Sequence, residues 1–307
     1  MRVVFAALLS ALLFIGFVAG SWAQNGLERF EKEIKPQFEL KTLSYAGAEP
    51  LGTSGFVLKD VVAVVPANPA TGDKESTIRI EKVTVDDLDF DRLRKDSKDD
   101  LAPRFARLRM EGMTGDDEMF TALEPYGVPR VPFDIALDYR IDPAAKVLTL
   151  SLLEVALRGQ ARLALSMIVD GVSDDTDMDT ARDEGRLRSA ALTIDDRQLL
   201  DRLVPALASE EGMKPEELIA TVLDALAGFA QAQTGETLKA LDALASFVGD
   251  WKAPRGPLVL GLKPPKTAGL EDLDKIVLPD ALSTLFGFTA TYPGTRSGAA
   301  KAGSTGK

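Results

Sequence analysis

Five apolar side chains at strictly alternate positions, Phe133, Ile135, Leu137, Tyr139 and Ile141, are separated by Asp134, Ala136, Asp138 and Arg140. Successive residues of a strand point to opposite faces, so this segment suits a strand with one apolar face and one wet face. A sheet that leaves one face in water is antiparallel by preference, because parallel strands need covering helices on both sides. The run Asp142-Pro143-Ala144-Ala145-Lys146 that follows has turn chemistry, with the proline ring fixing φ, and it predicts a hairpin into a second strand over 147–152.

The same period recurs on either side. Alternation over 38–45, 56–65, 78–80 and 83–85 predicts further strands, and the phase slip at Glu81-Lys82 predicts a bulge between the last two. A strand over 161–169 completes the antiparallel meander. After residue 194 the period changes to that of a helix. Asp195 or Asp196 can cap a helix bearing Leu199, Leu200, Leu203 and Val204, which Pro205 is expected to end or kink. Pro215 followed by Glu216 and Glu217 makes a favourable first turn for a helix reaching about residue 233. A third helix is predicted over 237–248 with Leu238, Leu241, Ala245 and Val248 on one side, ended by Gly249. A returning strand over 258–262 and a short helix over 279–286 close the pattern. Strands on both sides of the helical stretch favour one α+β domain over residues 24–296, an antiparallel β-meander with a helical layer formed mainly by the C-terminal half. Its strand-rich part is expected over 36–194, its helices over 195–249 and the returning elements over 256–290.

Composition removes several kinds of chemistry. The chain has neither Cys nor His, which excludes disulfides, thiol nucleophiles, the usual zinc and haem ligands and any triad with an imidazole base. The net charge of −11 repels polyanions, and the most basic run, 104–109, is broken by Phe105, Ala106 and Leu108, so nucleic acid is not an expected partner. Residues 3–18 form an apolar run behind Met1-Arg2, followed by the small residues Ser21 and Ala23 at the spacing a signal peptidase reads. Cleavage after Ala23, export and a periplasmic location are the expectation. The alternative is an uncleaved inner-membrane anchor, for which the run is shorter than the ~20 residues of a spanning helix. No stable membrane span is then expected in the mature chain, and 297–307 read as a flexible tail.

The run Asp138-Tyr-Arg-Ile-Asp-Pro-Ala-Ala-Lys-Val-Leu-Thr-Leu150, then Leu163-Ala-Leu-Ser-Met-Ile-Val-Asp-Gly-Val172, and Ala191-Leu-Thr-Ile-Asp-Asp-Arg-Gln-Leu-Leu-Asp-Arg-Leu203 give a strand-meander-then-helix layout. Over roughly 133–226 this layout resembles bacterial envelope proteins of the AsmA-like and YdgA-like type. The resemblance implies an envelope-associated role without established catalysis, in some relatives proposed to be lipid handling, and it carries no functional residue across.

Local motifs name no site. Asp175, Asp177 and Asp179 match the first three ligand positions of a calcium loop, but Thr180 stands where its glycine belongs and Arg186 where its closing glutamate belongs. The segment reads instead as a solvated acidic loop between two strands, and no metal is assigned. Gly52-Thr53-Ser54-Gly55-Phe56 falls short of a nucleophile elbow, and no imidazole could activate Ser54. The carboxylate pairs Asp86-Asp87 and Asp99-Asp100 are expected to point to opposite faces in strands, and Asp195-Asp196 to cap a helix. Trp251 reads as an anchor for the proline-rich stretch around it rather than as a sugar platform. No catalytic residue and no cofactor are therefore assigned. A non-enzymatic scaffold, or a binder of an apolar envelope ligand or of another envelope protein, is the expected role. A hydrolase built on two distant carboxylates is the alternative, with a role of neither kind also left open.

Overall fold

A computed structural model describes residues 24–68, 74–93, 102–116, 121–176, 178–231, 233–266, 268–269, 272 and 279–295. The leader over 1–23, the Asp99-Asp100 pair, Asp177 and the tail over 297–307 lie outside the described residues. Strands pair in chain order: β3 (Gly55–Val65), β4 (Ser76–Leu88), β5 (Phe105–Gly115), β6 (Phe133–Asp142), β7 (Val147–Leu157), β8 (Ala161–Asp170), β9 (Arg186–Asp196) and β10 (Leu258–Leu262) are successive antiparallel neighbours. At one edge β1 (Thr42–Ser44) and β2 (Gly47–Leu51) both pair with β3. At the other, β11 (Ala268–Gly269) extends along β9, and β12 (Thr289–Thr291) pairs with β10. All twelve described strands thus belong to one antiparallel sheet, and with the helices the fold is α+β.

The hairpin from β6 to β7 forms as its turn residues require. Asp142 Oδ1 accepts the backbone N–H groups of Ala144 and Ala145 at 3.0 Å each, and this closes the turn with a side chain in place of a carbonyl. The slip at Glu81-Lys82 is real and is shared by three strands. On the inward face β3 steps from Leu58 to Val61, β4 from Ile80 to Val83 and β5 from Met110 to Met113. Gly112 absorbs the step on β5 with φ 69°, where a Cβ would lie 2.1 Å from the Glu81 carboxyl carbon. Asp134 Oδ1 accepts the Gly112 N–H at 2.7 Å, and Arg158 joins Asp134 and Glu81 at 2.9 Å each. Such irregularities bend a sheet and raise its twist.

Seven α-helices lie among the described residues. α1 (Gly26–Arg29) continues through a wide turn at Phe30–Ile34 and a tight one at Lys35–Gln37. It opens at Asn25, whose Oδ1 accepts the Glu28 N–H at 2.9 Å. α2 is Phe90–Leu93 and α3 Met178–Glu184, followed by α4 (Leu199–Glu210), α5 (Pro215–Ala230), α6 (Gly235–Gly249) and α7 (Pro279–Phe286). Pro205 neither ends nor replaces α4, which runs on to Glu210 with the proline inside it. Of the expected end or kink at Pro205, the end is therefore corrected. Val204 and Ala208 on either side of Pro205 are buried, and that burial helps offset the lost backbone bond.

Two apolar cores result. The first packs Phe30 and Ile34 from the N-terminal helical segment onto Phe56, Leu58, Val61, Val85, Phe90 and Met113, with rings Phe30 and Phe56 stacked at 4.5 Å. The second gathers Val169, Val172, Leu187, Ala268 and Phe286. The apolar stripes of β6 and α6 do not cover one another. Phe133, Ile135 and Tyr139 lie against the first core, whereas α6 packs on β12, where Phe247 meets Tyr292 edge-on at 5.3 Å.

Candidate functional site

The register of the central strands places one leucine directly beside the next: Leu137 on β6 faces Leu153 on β7, then Leu165 on β8, Leu192 on β9 and Leu260 on β10. A parallel row runs Ile135, Val155, Leu163, Ile194, Leu258. Alternation puts both rows on one face, the face that carries the two cores at its ends. Every member of the leucine row is only partly buried, and in the parallel row Leu163 is 44% exposed while Leu258, at the β10 end, is buried. Side chains of this type ordinarily fill interiors, so their joint exposure between two covered regions is informative where a lone exposed leucine would not be. Five strands at ~4.8 Å spacing make this apolar trough ~19 Å wide.

The opposite face is laced with ion pairs. Arg107 meets Asp138 at 2.9 Å, Arg109 meets Asp86 at 3.1 Å, Arg162 meets Glu154 at 2.5 Å, and Arg140 reaches Asp87 at 3.9 Å. Asp86 and Asp87 therefore share a face, contrary to the alternation expected for neighbours. The register between β4 and β5 shifts between Val85 and Asp87, and the extra residue carries both carboxylates to the arginine side. A hollow of 230 Å³ is lined by three consecutive residues on each of three strands, 149–151 on β7, 166–168 on β8 and 189–191 on β9.

At one end of the trough the apolar stripe of β9 passes from Ile194 to Asp196, which lies opposite Ala161. Asp196 is buried; its Oδ1 accepts the Leu200 N–H at 3.1 Å and so caps α4, while Oδ2 has no partner among the described residues. Burial pushes its carboxyl above the ordinary carboxylate range, and the charges of Asp195 and Asp201 push the same way against its backbone hydrogen bonds. Asp195, one residue earlier, sits opposite Arg162 on the ion-paired face. Here adjacent acids do point apart.

The acidic segment is not a plain loop. Asp179 lies within α3, Asp175 is exposed, and Asp174 is buried with its carboxylate 2.6 Å from Arg92. The helix pulls Asp179 out of the loop path that the spacing assumed. Asp89, also buried, accepts the Arg104 backbone N–H at 3.0 Å and its Nε at 3.1 Å. Among the described residues no three Asp or Glu side chains converge as a metal site would require. Ser54 lies in the turn from β2 to β3, and Trp251 is buried at the foot of α6 with the Lys252 ammonium 4.9 Å from its ring. Among the described residues no helix is long and apolar enough to cross a membrane.

Fold and site together define an α+β protein whose antiparallel sheet is amphipathic, ion-paired on one face and apolar and partly open on the other. Over residues 154–293, from the middle of β7 through β12, the chain is similar to a family described as an uncharacterized protein. No curated protein matches the chain.

Proposed function

We propose that this protein is an exported, periplasmic binder of an amphiphile whose acyl chain lies in the trough across β6 to β10, without catalysis of its own. One observation carries the reading: the directly paired row Leu137, Leu153, Leu165, Leu192 and Leu260 stays only partly buried between two covered cores, with Leu163 exposed in the row beside it. Burial of apolar surface contributes ~25 cal/mol per Å², so an acyl chain there gains what the protein's own side chains have left unclaimed. Further support comes from the export leader read in residues 1–23 and from the engagement of the buried carboxylates. Asp89 and Asp174 are paired to arginines, and the buried neighbours Asp195 and Asp196 point to opposite faces of β9, so those two do not form the facing pair a two-carboxylate hydrolase requires. The resemblance to AsmA-like and YdgA-like envelope proteins points the same way.

The test is a titration of lipid-stripped protein with oleate. At 100 times the Kd, binding to the native state alone adds ~2.7 kcal/mol and raises the melting temperature. Leu165→Asp, which places a charge in the middle of the row, should abolish that rise. No rise in the stripped wild-type protein, or an equal rise in the variant, contradicts the proposal.

A further inference from the structure

α5 is an apolar helix with no home. Among its described residues none is buried, and Val222 is 38% and Phe229 52% exposed. It packs chiefly on its helical neighbours α4 and α6, with Glu216 at its start paired to Lys252 beyond α6 at 2.9 Å. A helix of this composition normally lays its stripe on a core. The molecule therefore holds two unsatisfied apolar surfaces, this stripe and the open trough, in one chain.

Their dimensions agree. Sixteen residues at 1.5 Å each make α5 ~24 Å long, against ~19 Å across the five strands of the trough. The flanking helices are tied down at different parts of the sheet. Arg202 of α4 donates to Gln160 Oε1 at 3.1 Å, and α6 is fixed to β12 through the Tyr292 hydroxyl, which donates to Asp250 at 2.8 Å. Between those ties and α5 stand Gly212 at φ 67° and Gly235 at φ 60°, both with open space where a Cβ would be. Hinges use residues of this kind to absorb large dihedral changes.

We propose that α5 supplies the second wall of the ligand site, folding its Val222 and Phe229 stripe over the trough when an acyl chain occupies it. The inference rests on the reading of the trough as an acyl-chain site. The bound chain is then sandwiched between sheet and helix, and water is excluded from both apolar surfaces at once.

Because the chain has no cysteine, single labels can be placed cleanly. An environment-sensitive fluorophore on Phe229→Cys reports α5, and the same fluorophore on Leu163→Cys reports the trough. With oleate as probe, both emissions should shift to the blue with one midpoint, and Phe229→Ser should weaken oleate binding about tenfold, or about 1.4 kcal/mol. A shift at 163 with none at 229, and unchanged affinity in Phe229→Ser, overturns the closing role of α5 and leaves the trough reading intact. Silence at both labels in protein that melts cooperatively overturns the two together. A blue shift at 229 that follows protein concentration rather than oleate assigns the stripe to a second copy of the chain and equally overturns the proposal.

Discussion

Truncating a trough leucine should cost far less than truncating a core side chain, although both are apolar and both belong to the same sheet assembly. Phe286 is fully buried in the second core, and Phe286→Ala removes a ring from a closed environment, for which about 3–5 kcal/mol is the usual loss. Leu163 keeps 44% of its surface in solvent. Full burial of a leucine is worth ~1.5–3 kcal/mol, so little more than half of that is at stake, and an open trough leaves no sealed cavity to add a penalty. Leu163→Ala should therefore cost about 1 kcal/mol. With a urea slope of about 2.5 kcal/mol per M, the midpoint should fall by ~0.4 M for Leu163→Ala and by more than ~1.2 M for Phe286→Ala at unchanged slope. Equal shifts for the two variants would show that Leu163 is covered in solution and that the trough is part of a sealed core.

Three further outcomes follow from the site and the fold. Asp196 has a carboxyl raised by burial, so its contribution to stability is fully present below the ordinary carboxylate range and is lost as pH rises through the raised value. Asp196→Asn keeps an oxygen to accept the Leu200 N–H and should be the more stable protein at pH 7, with the advantage shrinking on acidification; urea midpoints at the two pH values check this. The Tyr139 hydroxyl, which donates to the Pro103 carbonyl at 3.0 Å, is pushed up to about 12 by burial and by the charge of Asp89. The stability it contributes should be lost as pH rises from the ordinary value near 10 through about 12, and Tyr139→Phe should cost ~1 kcal/mol at neutral pH while removing that alkaline loss from the melting curves. Gly112→Ala must adopt φ 69° and displace the Glu81 carboxylate, so a loss of ~1–2 kcal/mol in urea unfolding is expected, and Glu81→Ala alone should not reproduce it.

The elements that sequence made visible are those whose partners are local. β6 and its hairpin could be read because alternation and turn chemistry sit within fifteen residues, and β10 and α7 because proline and glycine punctuate them. β5 is hard to read in the sequence because Arg104, Arg107 and Arg109 present as a basic run. Arg107 and Arg109 are wet-face residues of the strand, neutralised by Asp138 and Asp86 from its neighbours in space, and Arg104, just ahead of the strand, pairs with the buried Asp89. The N-terminal helix was also missed, although Asn25 three residues before Glu28, followed by Leu27, Phe30 and Ile34 at helical spacing, carried the signal. β9 was legible only as the far side of an acidic loop, and the meander runs two neighbours beyond β8, through β9 to β10, where sequence had closed it. The trough itself lay beyond local reading. Each apolar stripe announces a buried face, but whether a helix covers it depends on where α4 to α6 are tied, through contacts such as that of Arg202 with Gln160 across 42 residues.

The most direct measurement is native mass spectrometry of protein purified without detergent from the cells that make it, followed by organic extraction of the same sample. An acyl-chain trough predicts a chain mass carrying one amphiphile, whose release coincides with recovery of a lipid in the extract. A bare chain mass, from protein that after stripping gains no thermal stability with oleate, would contradict it.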